Sequence, residues 1–171
     1  VELLINHFGT IDNPITDLIG AEWPRAMNQA GVKFYLEYGD FNALLDNYYY
    51  AYLLGDERKF NSFNLATGFT AVYDPYYSLH SDFLGTWQNA TGVNDPEIDR
   101  LVTAMRSLEP TQKDEYLELW FEYQVYWNEI LPVLPIYSNE YFDVFNKRVT
   151  GLATTPLYGW ARAIIDVQVK E

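Results

Sequence analysis

"VELLINHFGTIDNPITDLIGAEWPRAMNQAGVKFYLEYGD", residues 1–40, sets two short apolar runs on either side of a helical pattern. Val1–Phe8 is apolar up to Gly9, which marks a strand. Asn13 then offers an N-cap side chain, and Pro14 suits the first helical position because it has no N–H to leave unpaired. Ile15, Leu18, Ile19, Trp23, Ala26, Met27 and Ala30 recur at helical spacing as far as Gly31. Pro24 falls inside that pattern, so a kink or a break is expected there. Val32, Phe34, Leu36 and Tyr38 alternate with Lys33, Tyr35 and Glu37, the pattern of a half-buried strand.

Working outward, Asp40 caps a second helical pattern whose stripe is Phe41, Leu44, Leu45, Tyr48, Tyr49 and Tyr52, closed by Gly55. Tyr48-Tyr49-Tyr50 covers more than one helix face, so at least one ring is expected outside the core. Phe60–Thr67 reads as a third strand ending at Gly68. The order β-α-β-α-β predicts an α/β architecture with a largely parallel sheet. Residues 68–93 are rich in loop signals. A helix follows, capped by Asn94 or Asp95 with Pro96 behind it, and Asn94 and Glu97 have capping-box spacing. Its stripe is Ile98, Leu101, Val102 and Met105. After Glu109-Pro110-Thr111 a longer helix runs to about Ile130, with Tyr116, Trp120, Tyr123 and Trp127 in one stripe flanked by Leu117 and Leu131. The short link predicts antiparallel packing of the two helices, and Pro132 ends the second. Val133–Tyr137, Tyr141–Phe145 and Ile164–Val169 read as strands, Pro135 confining the first of them to an edge, an end or a bulge.

A chain of 171 residues that is 49% hydrophobic can bury a core. With 11 basic and 24 acidic residues its net charge is −13, which repels a phosphate backbone and an anionic membrane surface. Nucleic acid is therefore not an expected partner. The absence of cysteine excludes thiol chemistry and Cys-based zinc sites within the chain. Val1-Glu2-Leu3-Leu4-Ile5 opens inside a strand, as expected of a piece of a longer polypeptide.

Little in the sequence has the spacing of a catalytic centre. His7 and His80 are far apart and neither has an i+4 partner, so no metal and no cofactor is expected. Glu97/Asp99 and Asp114/Glu115/Glu118 lie on the polar sides of predicted helices and read as solvated faces. Asp74 and Asp82, in the loop-rich stretch, are the acids kept as site candidates, although Asp74-Pro75 also fits a turn. With 15 Tyr, 10 Phe and 5 Trp, a carbohydrate-binding or glycosidase-like domain is an alternative, and so is an interaction module with exposed rings.

"GVNDPEIDRLVTAMRSLEPTQKDEYLELWFEYQVYWNEILPVLPIYSNEYFDVFNKRVTGL", residues 92–152, resembles the C-terminal part of family 5 extracellular solute-binding proteins, the peptide, dipeptide and nickel receptors of ABC importers. The matching features are the N-x-Pro-Glu-x-Asp helix start, the short break, the long helix, the LP-x-x-P-hydrophobic-Tyr run and the V-x-Gly turn. The resemblance implies a type II periplasmic-binding-protein-like lobe with a mixed sheet flanked by helices. Residues 1–157 would form the C-terminal lobe of a two-lobed receptor, and 158–171 a tail returning to the first lobe.

It further implies a non-enzymatic role in transport: capture of a peptide or another small polar solute between two lobes, and delivery to ABC permease subunits. The location would be the periplasm or the extracellular face of the membrane, with membrane contact only through a lipid anchor in a preceding part, as in a lipoprotein. Ligand contacts are expected at Phe69, Thr70, Ala71, Val72, Tyr73 and Asp74. In family peptide receptors an aspartate in this loop grips the peptide amino group. Val72 stands in its place here, which leaves Asp74 as a substitute or a turn former, and a sugar-like ligand stacked on Tyr73 as an alternative.

Overall fold

The computed structural model describes residues 3–67, 74–138, 142, 144–155 and 158–170. The chain divides into two compact units, one of residues 1–67 and 74–133, the other of 68–73 and 134–171.

In the first unit, β1 (Leu3–Thr10) lies between β2 (Val32–Gly39) and β3 (Ser62–Phe63), and both pairings are parallel. The register runs Leu3↔Val32 to Thr10↔Gly39 on one side and His7↔Ser62, Phe8↔Phe63 on the other. The expected β-α-β-α-β order is present. Side chains alternate between the two faces. His7 and Phe34 meet Trp23 of α1 (Pro14–Gln29) on one face. Phe8 packs with Leu44 of α2 (Phe41–Tyr49) and Phe60 on the other.

Both helices start as their caps dictate. The Asn13 side chain accepts from the Ile15 and Thr16 amides, and Asp40 accepts from Ala43 at 2.8 Å. Gly31 closes α1 at φ +78°, a conformation that costs glycine little. Pro24 neither breaks α1 nor ends it. Helix-to-strand packing overrides the local preference: a Cβ at Gly20 would lie 2.7 Å from the Tyr38 hydroxyl and 2.8 Å from Leu36 Cδ2, so α1 is pressed onto β2 one turn before the proline. Within α1, Thr16 and Ile19 are buried while Leu18 and Ala26, both on the expected stripe, face outward. The α2 helix ends at Tyr49, and Tyr52 lies in a following 3₁₀ turn. Tyr50 is exposed, as the three-tyrosine run requires.

β3 is shorter than the expected Phe60–Thr67. Asparagine side chains replace part of the ladder. Asn61 Oδ1 accepts from the Asn6 amide at 2.9 Å, its Nδ2 donates to the Leu4 carbonyl at 3.1 Å, and Asn6 Nδ2 donates to the Lys59 carbonyl at 3.2 Å.

After a short α3 (Tyr76–Leu79), α4 (Pro96–Arg106) and α5 (Lys113–Ile130) build a second core. Asp95, not Asn94, is the N-cap, accepting from Glu97 and Ile98, so the Asn94–Glu97 capping box does not form. Glu97 instead pairs with Arg100, which also reaches Glu122 at 2.5 Å. Burial pushes the Asp95 carboxyl up, but the Ile98 and Glu97 amides and the Tyr126 hydroxyl outweigh it and hold it below its ordinary value. Contacts Asp95–Tyr126 and Arg100–Glu122 run in opposite directions along the two helices, so they are antiparallel as expected. Ile98, Leu101, Val102 and Met105 are all buried, against Tyr123 and the partly buried Tyr116, Trp120 and Trp127. Leu117 and Leu131 are exposed, outside that core. Leu131 ends α5 at φ 43°, directly before Pro132.

In the second unit, β4 (Val149–Thr150) pairs antiparallel with β5 (Gln168–Val169). Parallel and antiparallel pairing thus occur in separate sheets among the described residues. The Asn146-Lys147-Arg148 turn forms, with Arg148 N–H donating to Asn146 Oδ1 at 3.0 Å. Gly151 sits at φ +80°, where a Cβ would lie 2.1 Å from the Asp166 carbonyl oxygen. Val133–Tyr137 carries no ladder, and neither do Phe142, Val144 and Phe145; Tyr141 and Asp143 lie outside the described residues. Pro132 and Pro135 have no N–H to give a neighbour. Of the expected Ile164–Val169 strand only Gln168–Val169 forms, because Ile164–Asp166 is a 3₁₀ turn continuing from α6 (Trp160–Ala163).

Leu101 is fully buried in the α4–α5 core and Leu117 is half exposed. Leu101→Ala is expected to lower unfolding free energy by about 2–5 kcal/mol in urea denaturation, and Leu117→Ala by no more than about 0.5 kcal/mol.

Candidate functional site

Of the expected ligand-contact residues, Phe69, Thr70, Ala71, Val72 and Tyr73 lie outside the described residues. Asp74 is described, and both its oxygens are engaged. Oδ1 accepts from the Tyr76 amide at 3.0 Å, the local bond of an Asx turn before α3. Oδ2 accepts from Arg106 Nη1 at 2.7 Å. The other end of the Arg106 fork donates to the Tyr77 hydroxyl at 2.8 Å. The guanidinium carbon stands 4.8 Å from the Tyr76 ring centre and 4.6 Å from that of Tyr77. Arg106 is therefore held by one carboxylate, one phenol and two ring faces.

Asp82 neighbours this group. It accepts from the Tyr76 hydroxyl at 3.4 Å, and its Oδ2 is 3.5 Å from His80 Nδ1. Desolvation raises the Tyr76 phenol above its ordinary value, and the Asp82 charge adds to it. Ser81 turns the other way, its amide and hydroxyl both donating to Asp99, at 2.8 and 2.5 Å. Ser81 and His80 therefore do not form a nucleophile–base pair. Among the described residues no group of three or more His, Cys, Asp or Glu could hold a metal ion.

A second polar cluster runs from the middle of β1 to Asn64, just past the carboxyl end of β3, on the side of the sheet where open α/β folds place their ligands. His7 is 1% exposed. Its Nδ1 stands 2.8 Å from Ser62 Oγ and its Nε2 3.0 Å from Asn64 Oδ1. An amide oxygen only accepts, so Nε2 carries the proton and Nδ1 accepts from the serine. Thr16, at the start of α1, meets the same asparagine at 3.1–3.2 Å. Burial pushes the imidazole below its ordinary value, opposed by the bond to Asn64. His7 has no metal-like spacing, and its partners are 55 and 57 residues away, so local pattern gave no sign of the cluster.

Two open-faced concavities mark the surface of the first unit. One, of about 370 Å³, is lined by Asp46, Asn47, Tyr50, Leu53 and Leu54, and the other, of about 310 Å³, by Glu97, Phe121, Glu122, Val125, Tyr126 and Glu129. Neither adjoins Asp74 or His7 in its lining.

No protein-family model matches the chain, and no curated protein sequence matches it. Solved structures do. The oligopeptide-binding protein AppA from Bacillus subtilis, solved with a nonapeptide, superposes with a TM-score of 0.72 at 12% identity, covering 99% of this chain and 32% of that one. The ABC transporter-associated periplasmic binding protein DppA from Helicobacter pylori, solved with the peptide STSA, superposes with a TM-score of 0.62 at 15% identity, covering 99% of this chain and 31% of that one. The chain has the α/β fold of part of a periplasmic binding protein, and it spans about a third of the length of the structures it matches.

Lysine at position 106 would keep the charge but not the planar fork. Arg106→Lys is expected to change the near-ultraviolet tyrosine circular dichroism while the far-ultraviolet spectrum stays as it was, because an ammonium cannot bridge Asp74 and Tyr77 and lie flat on two rings.

Proposed function

We propose that the chain is the C-terminal lobe of a two-lobed solute receptor of an ABC importer, of the family 5 type, which captures an oligopeptide or another small polar solute. The observation that carries this reading is the superposition of 99% of the chain on a peptide-binding protein, together with the sequence resemblance at residues 92–152. Residues 1–157 form the lobe in this reading, and 158–171 a tail that returns to the other lobe. The receptor works outside the cytoplasm, at the membrane face or in the periplasm, and any membrane attachment is through a lipid anchor in a part preceding this chain. Its partners are the solute and the permease subunits.

Binding shifts a population. Ligand touches both lobes only when they are closed, and its differential affinity holds them closed. Phe69–Tyr73 supply the contacts from this side. Asp74 anchors the end of that loop through Arg106 and the Tyr76 amide, and Val72 leaves no carboxylate at the family's ammonium-binding position. No bond in the solute is broken.

The two-lobed polypeptide containing this chain is the material for the test, screened by thermal unfolding against tetra- to nonapeptides and oligosaccharides. A solute at 100 times its Kd stabilises by about 2.7 kcal/mol. A raised Tm with at least one peptide, and recovery of that peptide intact, is the expected result. Hydrolysis of every stabilising solute, or no stabilisation by any of them, overturns the reading.

A further inference from the structure

We propose that His7 is a positioning residue which, through Asn64 and Thr16, fixes where the chain leaves β3 and so sets the start of the ligand-contacting loop. The positioning role for a ligand loop rests on the receptor reading above; the clasp itself does not.

Three segments distant in sequence meet here: the carboxyl-terminal half of β1, the first turn of α1 and the residue following β3. The β3 ladder consists of Ser62 and Phe63 alone, so backbone pairing does not direct the chain beyond Phe63. Asn64 is the next residue. Its amide oxygen takes the His7 Nε2 proton at 3.0 Å, and its amide group faces the Thr16 hydroxyl at 3.1–3.2 Å. The junction leaves no spare room. A Cβ on Gly9 would lie 2.3 Å from Thr16 Cγ2 and 2.7 Å from Asn64 Oδ1. His7 is held in turn by the Ser62 hydroxyl and by the Trp23 and Phe34 rings, at 5.9 and 5.7 Å between centres.

In the neutral imidazole one nitrogen donates to Asn64 and the other accepts from the Ser62 hydroxyl. A second proton on Nδ1 reverses the Ser62 bond, so that the hydroxyl oxygen must accept, and it places a charge in a buried site, which desolvation disfavours. Among the described residues, the contacts of His7 are Phe34 and its own register partner Leu36 on β2, Ser62 on β3, Asn64 beyond it and Trp23 on α1, with Thr16 reached through Asn64, and none of these side chains carries a charge. Burial holds the folded-state imidazole below 6.5. In the unfolded chain it takes its proton near 6.5, so between the two values the unfolded state binds more protons. The stability that depends on the buried neutral imidazole is fully present above about 6.5 and is lost as pH falls through the folded value.

The test is nuclear magnetic resonance on the ¹⁵N-labelled 171-residue chain, without ligand, from pH 8 to pH 4, with His7 assigned through its proximity to the Trp23 ring. The His7 ring is expected to titrate below 6.5, and the Leu65, Ala66 and Thr67 amides to move with the same midpoint. His7→Gln keeps a donor and an acceptor but does not titrate, so it should remove the pH dependence of these amides and keep their pH 8 positions. Asn64→Asp puts a carboxylate beside Nε2 and should raise the His7 midpoint by about one unit or more, with the three amides following it upward. A histidine with only a packing role would titrate without carrying those amides along. Amides that ignore the His7 midpoint in both the parent chain and Asn64→Asp overturn the proposal, even where His7→Gln fails to fold. Because no solute is used, a failed solute screen leaves this result standing, and a failed clasp leaves the receptor reading standing.

Discussion

Parallel pairing of β1 with a neighbour on each side constrains everything around it. A parallel neighbour cannot be reached by a tight hairpin; the chain must cross back over a face of the sheet, and a helix satisfies its backbone groups on the way. That requirement puts α1 and α2 where they are, and it makes β1 apolar toward both faces, with His7 buried on one and Phe8 on the other. It also gathers the carboxyl ends of all three strands at one edge, beside the first turns of both helices. Thr16 can reach Asn64 only because α1 begins at that edge and β3 ends there. The buried polar cluster is thus a consequence of strand direction as much as of the residues that form it.

The α4–α5 pair obeys a different constraint, since its core shares no residue with that of the sheet. Two helices linked by a few residues bury their facing stripes against one another. The stretch leading into them contributes little regular structure, and Asn89 does the work of a ladder. Its side chain, 3% exposed, donates to the His80 and Val93 carbonyls at 3.2 and 2.8 Å and accepts from the Val93 amide at 3.1 Å. A buried amide so fully satisfied holds an irregular loop without cost to its own polar atoms.

These two constraints explain what could be read from sequence. Ile98, Leu101, Val102 and Met105 were legible because a helix stripe is a local pattern, and Asn13, Asp40 and Pro96 marked their helix starts for the same reason. Strand length was not legible, because it depends on a partner elsewhere in the chain. Phe60–Thr67 has the composition of a strand, yet Asn61 exchanges ladder bonds for side-chain ones. Val133–Tyr137 has the apolar content, but Pro132 before it and Pro135 within it withhold donors. Ile164–Val169 alternates well, yet β4 offers it only Val149 and Thr150 to pair with. At Pro24 the expected break does not occur, since packing at Gly20 holds a helix that propensity alone would interrupt. The candidate site followed the same division. Asp74 was visible as an acid in a loop, but its partner Arg106 is 32 residues on, and nothing local joins them.

That partnership bears on whether Asp74 is free to bind a positively charged group. A net charge of −13 suggests a surface that attracts cations, but the charge does not converge at Asp74, whose carboxylate already carries a guanidinium. An incoming ammonium group would have to displace Arg106 from Asp74, and Arg106 would then lose one of four contacts that hold it in place. The incoming group would gain a half-exposed carboxylate, a site where ion pairs contribute little against water. Capture of a terminal amine at this point is therefore a weak source of affinity.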